Sequence, residues 1–152
     1  MRVARWYCRS ARMTFSLLPD FLCARLQGSL DEAERAVVMS ESVGVEGAAQ
    51  ELRVDEVELP GALRWLRRRR RGVHAALLAL ITAMPGLLGT VADVRAIRAV
   101  LGSERALVAL RGIGAAHLHA LPPPVGFRPA WAQRTEGEPR LQHETGPDPP
   151  VP

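Results

Sequence analysis

The chain has 152 residues, with 20 basic and 16 acidic side chains, a formal charge of +4 and a pI near 10.3. That length suits one domain, and a hydrophobic content of 47% excludes a wholly disordered charged chain. Every basic residue is an arginine, and two cysteines, Cys8 and Cys23, are too few for the disulfide framework of a small secreted domain.

Residues 2–8 read as a short aromatic strand, paired through a turn with a second extended piece at Met13-Thr14-Phe15. Leu17, Leu18, Phe21, Leu22 and Leu26 predict a short helix starting near Pro19 and ended by Gly28. Ser29 then caps a helix to about Ser42, with Asp31 and Glu32 in its first turn and Leu30, Ala33, Val37 and Val38 facing inward. Gly44 breaks it, and Val45 to Leu52 forms a short helix on Ala48, Ala49 and Leu52. Residues 53–58 make a polar connection. A further helix begins near Pro60, a residue suited to a first turn. It extends through Gly72 to about Ala83, with Gly72, at a cost of roughly 1 kcal/mol, the place for a kink or break.

Pro85-Gly86 and Gly89 mark a loop. Ala92 to Leu101 repeats Val94, Ile97 and Leu101 at helical spacing and stops at Gly102. Ser103 is the expected cap of a last helix that uses Leu107, Leu110, Gly114, His117, Leu118 and Leu121. From Pro122 the chain holds nine prolines and no periodicity, the composition of a disordered tail. The fold predicted is mainly α: a helix-turn-helix-like bundle with a short N-terminal β-hairpin and a disordered Pro-rich C-terminal tail. Its parts are residues 1–28, a helical domain over 29–121 and the tail 122–152.

Charge is unevenly spread. Residues 1–28 carry five arginines against one acid, residues 29–58 nine acids against two arginines, and residues 59–72 six arginines and no acid. The acids of 31–58 read as solvated helix faces. In the Pro60 helix, Leu63, Leu66 and Arg70 fall on one side, continued by Val73, Leu77 and Leu80. The rest of its surface is cationic, through Arg64, Arg67, Arg68, Arg69, Arg70 and Arg71, and a surface of that kind suits a polyanion such as duplex DNA. Residues 46–71 have the order of a helix-turn-helix, whose second helix meets base edges near its start and phosphates at its flanks. Arg64 sits nearest that start, and Trp65 reads as a core anchor. A non-enzymatic DNA-binding protein, possible as a homodimer, follows from this pattern. Two other readings stay open: a structural or protein-interaction bundle whose basic helix pairs with an acidic partner, and a membrane-associated protein anchored through residues 73–91, an uncharged stretch behind five arginines.

Catalysis finds no foothold, since no glycine-rich phosphate loop, metalloprotease His pair or nucleophile elbow is present. No cofactor or metal is expected. Cys8 has no partner at zinc-ribbon spacing, Cys23 reads as a small buried hydrophobe, and His74 as a satisfied core histidine. His117 and His119, two residues apart, point to opposite sides of a helix. Arg2, Arg5, Arg9 and Arg12 are not followed by an apolar stretch of signal-peptide length, so a cytoplasmic location is expected.

Arg5-Trp6-Tyr7-Cys8, followed by Thr14-Phe15-Ser16-Leu17-Leu18-Pro19-Asp20-Phe21-Leu22, resembles insertion-sequence-associated, transposase-like bacterial proteins, in which a zinc ribbon leads into such a segment and then a helix-turn-helix. The resemblance covers residues 3–22, and Arg64-Trp65-Leu66-Arg67-Arg68 more loosely. It implies DNA binding linked to mobile elements. The chain keeps Cys8 but not the second ribbon cysteine, and no acidic catalytic domain follows, as in a copy truncated at its N-terminus.

Overall fold

The computed structural model describes residues 5–16, 18–53 and 58–128. The expectations for residues 2–4, for Leu17, for most of the 53–58 connection and for residues 129–152 lie outside the described residues. The fold is mainly α. Among the described residues, four helices follow a two-stranded hairpin, in which β1 (Arg5–Cys8) pairs antiparallel with β2 (Met13–Ser16).

Ser29 opens the first long helix, α1 (Leu30–Leu52). Its hydroxyl accepts from the Glu32 amide at 3.1 Å, while the Glu32 carboxylate accepts from the Ser29 amide at 2.7 Å. This reciprocal capping box satisfies two donors at the start of the helix. Gly44 interrupts α1 with φ 80° and ψ 165°, a conformation that a side chain would strain. The break falls where the sequence puts it.

The basic helix is α2 (Leu59–Ala83), with Pro60 in its first turn. It runs antiparallel to α1. Ala33 and Val37 from the start of α1 share a core with Val73, Ala76, Leu77 and Leu80 from the end of α2, while Ala36, Ala48 and Ala49 pack with Ala62 and Leu66. The segment 46–71 is thus the distal end of an αα-hairpin. No kink occurs at Gly72. A Cβ there would stand 3.3 Å from the Pro123 carbonyl oxygen and 3.5 Å from Pro124, so the glycine admits a neighbouring segment instead of bending the helix. Among the described residues no helix is long and apolar enough to cross a membrane. The inward side of 73–80 is instead the core of the bundle.

The two short helices are α3 (Val94–Leu101) and α4 (Ala106–Ile113). Asp93 caps α3 by accepting from the Ala96 amide at 3.0 Å, and Gly102 ends it in a left-handed conformation. Ser103 is not the main cap of α4. Its hydroxyl accepts only from the Arg105 amide, whereas the amides of Ala106 and Leu107 donate to the Glu34 carboxylate at 3.0 and 2.8 Å. Glu41, two turns further along α1, accepts from the Val94 amide at 3.2 Å and from His74 Nε2 at 3.1 Å. These acids are not solvated faces: Glu34 is 1% exposed, and the Glu41 side chain 5%. Each places negative charge against the positive end of another helix. Arg98 completes the first site, donating to Glu34 at 2.7 Å and to Glu104 at 2.8 Å. His74 is half-buried and held by Glu41.

Two expected elements are replaced. Residues 19–26 form no helix. The Leu22 amide turns back to the Pro19 carbonyl, Cys23 bonds to Gly28, and the Ala24 amide donates to Pro124. The last helix does not reach Leu121 either: α4 ends at Ile113, a 3₁₀ turn covers Ala115–His117, and His117 is exposed. Residues 122–128 are then an ordered part of the fold and not the start of a disordered tail. Val125 is fully buried, and the Phe127 and Arg128 amides donate back to Leu118 and Leu121.

Arg111 explains both corrections. Only 4% exposed, it donates through Nε to the Val125 carbonyl at 2.9 Å, through Nη2 to Pro124 at 2.6 Å, and through Nη1 to Asp20 at 2.7 Å and Leu22 at 2.6 Å. Carbonyls committed to this guanidinium cannot propagate a helix over 19–26. The same bonds hold 124–125 against α4.

Truncation tests the boundary. A chain ending at Leu121 loses Val125 from the core and two acceptors of Arg111. It should melt at least about 10 °C below a chain ending at Arg128, on roughly 3 kcal/mol of lost burial and hydrogen bonding. Equal midpoints in a thermal scan would show that 122–128 contributes nothing.

Candidate functional site

A helix turns about 100° per residue. With Leu66 and Val73 inward, Arg64, Arg67, Arg68 and Arg71 fall in an arc of about 100° on the opposite side of α2. All four are exposed, and Arg70 at the edge of the arc is half-buried. None of these five takes part in an ion pair among the described residues. Arg69 stands apart. The position expected to be apolar-facing was Arg70, but the buried stripe runs Ala62, Leu66, Arg69, Val73, because Arg69 lies seven residues after Ala62 and two turns bring the pair into line.

Buried to 7% exposure, Arg69 donates from Nη2 to the Gln27 carbonyl at 2.8 Å, and its Cζ lies 3.8 Å from the centroid of the Trp65 ring. Its Nε is buried with no acceptor. Burial pulls the Arg69 pKa down, opposed by the fields of Cys23 and Glu32. An arginine nonetheless stays protonated in a protein, so a charge sits here without a carboxylate bonded to it. Trp65 is a stacking partner with 40% of its surface exposed, not the buried anchor expected.

The arginines of α2 line two recesses. One, of about 390 Å³, is walled by Arg25, Arg64, Arg68 and Arg69, with Trp65 and Gln27 between them. The other, of about 480 Å³, lies on the flank towards Val45 and is formed by Arg67, Arg70, Arg71, His74 and Leu78. Arg25, held at φ 59°, joins the first from outside the basic helix. No local pattern in the sequence marks it, because it reaches α2 only through the 19–28 loop. The basic recesses follow from the rotation of neighbouring arginines to either side of one helix: Arg64 and Arg68 are one turn apart, as are Arg67, Arg71 and, nearly so, His74.

The cysteines do not fit a ribbon. Cys23 is buried, its thiol donates to the Ser29 carbonyl at 3.1 Å, and burial pushes its pKa up to about 11. Cys8 is partly exposed beside the Ser10 hydroxyl, at 3.1 Å, which pulls its pKa down. Among the described residues no group of three histidines, cysteines or acids is placed to hold a metal ion.

What the surface can do is bind anions at several points along one helix, with an aromatic ring beside one of them. No protein-family model matches the chain, and no curated protein or solved structure matches it significantly.

Proposed function

We propose that the protein binds duplex DNA non-enzymatically through the outer face of α2, in the manner of the transposase-like proteins that its N-terminal segment resembles. The observation that carries this reading is the arc of Arg64, Arg67, Arg68 and Arg71, four exposed guanidiniums within about two turns, none neutralised by an ion pair among the described residues. Such an array releases counterions from a phosphate backbone, the dominant and salt-sensitive part of DNA affinity. Arg70 and His74 widen the contact on one flank. A cytoplasmic location goes with this role.

Salt titration of binding to a duplex checks it. Each neutralised phosphate adds about 0.9 to the slope of log affinity against log salt, so four contacts give a slope of about −3 to −4. Replacing Arg67, Arg68 and Arg71 together by Gln should remove most of that slope and leave helicity intact, since Gln is also a good helix former. Arg64→Ala should change sequence preference more than overall affinity. No binding at low salt, or a triple variant that binds like the parent, would defeat the proposal.

A further inference from the structure

The recess on the Trp65 side has features that a phosphate-contacting face does not need. Its inner wall is Arg69, more than nine-tenths buried, with Nε lacking an acceptor and no ion pair among the described residues. A buried donor without a partner is costly, and the residue that carries it lines an opening of about 390 Å³, within the roughly 300–1,000 Å³ range of small-ligand pockets. Beside it stands Trp65, whose indole is stacked on the Arg69 guanidinium and is still 40% exposed. Arg25, Arg64 and Arg68 add cations around the mouth, and the Gln27 side of the wall is polar.

Anion donors beside an accessible aromatic ring are the combination that holds a phosphate and a base together. Stacking on indole or guanidinium planes needs a base with a free face, which a paired duplex does not offer. We infer that this recess is a binding site for an unpaired nucleotide of a single-stranded nucleic acid, its base stacked against Trp65 and its phosphate held by Arg25, Arg64 and Arg68. The site rests on the nucleic-acid reading of α2 and adds a second substrate form, unpaired strand, on the flank away from Arg67, Arg70 and Arg71.

Tryptophan fluorescence, excited selectively above the tyrosine band, tests the inference in the whole 152-residue chain carrying Trp6→Phe and Trp131→Phe, where Trp65 is the sole tryptophan. A short oligothymidylate at low salt should quench Trp65, and a duplex of the same length should quench it much less. Trp65→Leu, followed in the parent chain by anisotropy of labelled oligothymidylate, should weaken single-strand binding about tenfold, the scale of one lost stacking contact. Trp65→Phe should retain most of it. Arg25→Gln, an exposed substitution outside the basic helix, should weaken single-strand binding severalfold and duplex binding clearly less. Quenching that is equal for duplex and single strand would overturn the site. So would Trp65→Leu and Arg25→Gln variants that both bind oligothymidylate like the parent. Duplex binding with no quenching by oligothymidylate sinks this site alone, whereas absence of binding to either form sinks the proposed function as well.

Discussion

Replacing Arg111 by methionine should cost at least about 4 kcal/mol, a large share of the 5–15 kcal/mol that typically holds a domain together. Methionine fills comparable space and donates nothing. The carbonyls of Asp20, Leu22, Pro124 and Val125, which lie 2.6–2.9 Å from the guanidinium, would lose their shared donor. A buried polar group without a partner costs about 1–3 kcal/mol, and several are orphaned at once. The loss propagates, because these bonds are what tie 20–22 and 124–125 to α4. Arg111→Lys, with a compact ammonium in place of the planar fork, should fall between parent and methionine. Urea denaturation gives the free energies. In a chain ending at Leu121 the same substitution should cost clearly less, since two of its acceptors are already gone, and that non-additivity is the signature of one network. A methionine variant within about 1 kcal/mol of the parent would show that the four bonds add no net stability.

The second large effect is expected at Glu34. Glu34→Ala leaves the Ala106 and Leu107 amides without their acceptor inside the fold and removes one of the two carboxylates paired with Arg98. Removing one partner from a buried, hydrogen-bonded charge pair costs about 3–5 kcal/mol. Glu34→Gln should cost less, because the amide oxygen still accepts, but its NH₂ group meets donors where the second carboxylate oxygen stood. Thermal and urea unfolding should rank the variants Glu, Gln, Ala in falling stability. Hydrogen exchange should show the amides of α4 losing protection first. A Glu34→Ala chain as stable as the parent would mean that α4 is capped by other groups.

The candidate site was partly legible. A run of arginines after Pro60 marks a cationic helix wherever the fold goes, and the solvent-facing arc of Arg64, Arg67, Arg68 and Arg71 follows from helical rotation once Leu66 and Val73 face inward. Arg69 was not legible as the inward arginine. A cation seldom occupies a buried stripe, and the Gln27 carbonyl, brought up by the 19–28 loop, and the Trp65 ring, one turn earlier on α2, make the position tolerable.

The sequence by itself determined the features that depend on a few neighbouring residues. Ser29 with Glu32 starts α1, Gly44 breaks it, Pro60 sits in the first turn of α2, and Gly102 ends α3, because caps and breaks act through local backbone bonds and conformations. Tertiary structure decided where backbone groups find partners far along the chain. Residues 19–26 carry a helical apolar spacing, yet their carbonyls go to Arg111, about ninety residues away, and Pro124 takes the Ala24 amide. Residues 122–128 read as tail by composition, yet they fill the space beside Gly72 and close the network around Arg111. Glu34 and Glu41 look like surface acids in a charged helix, yet the helix ends they meet belong to α4 and α3. A helix dipole attracts a carboxylate from anywhere in the chain that packing brings near, and sequence spacing carries no record of that distance.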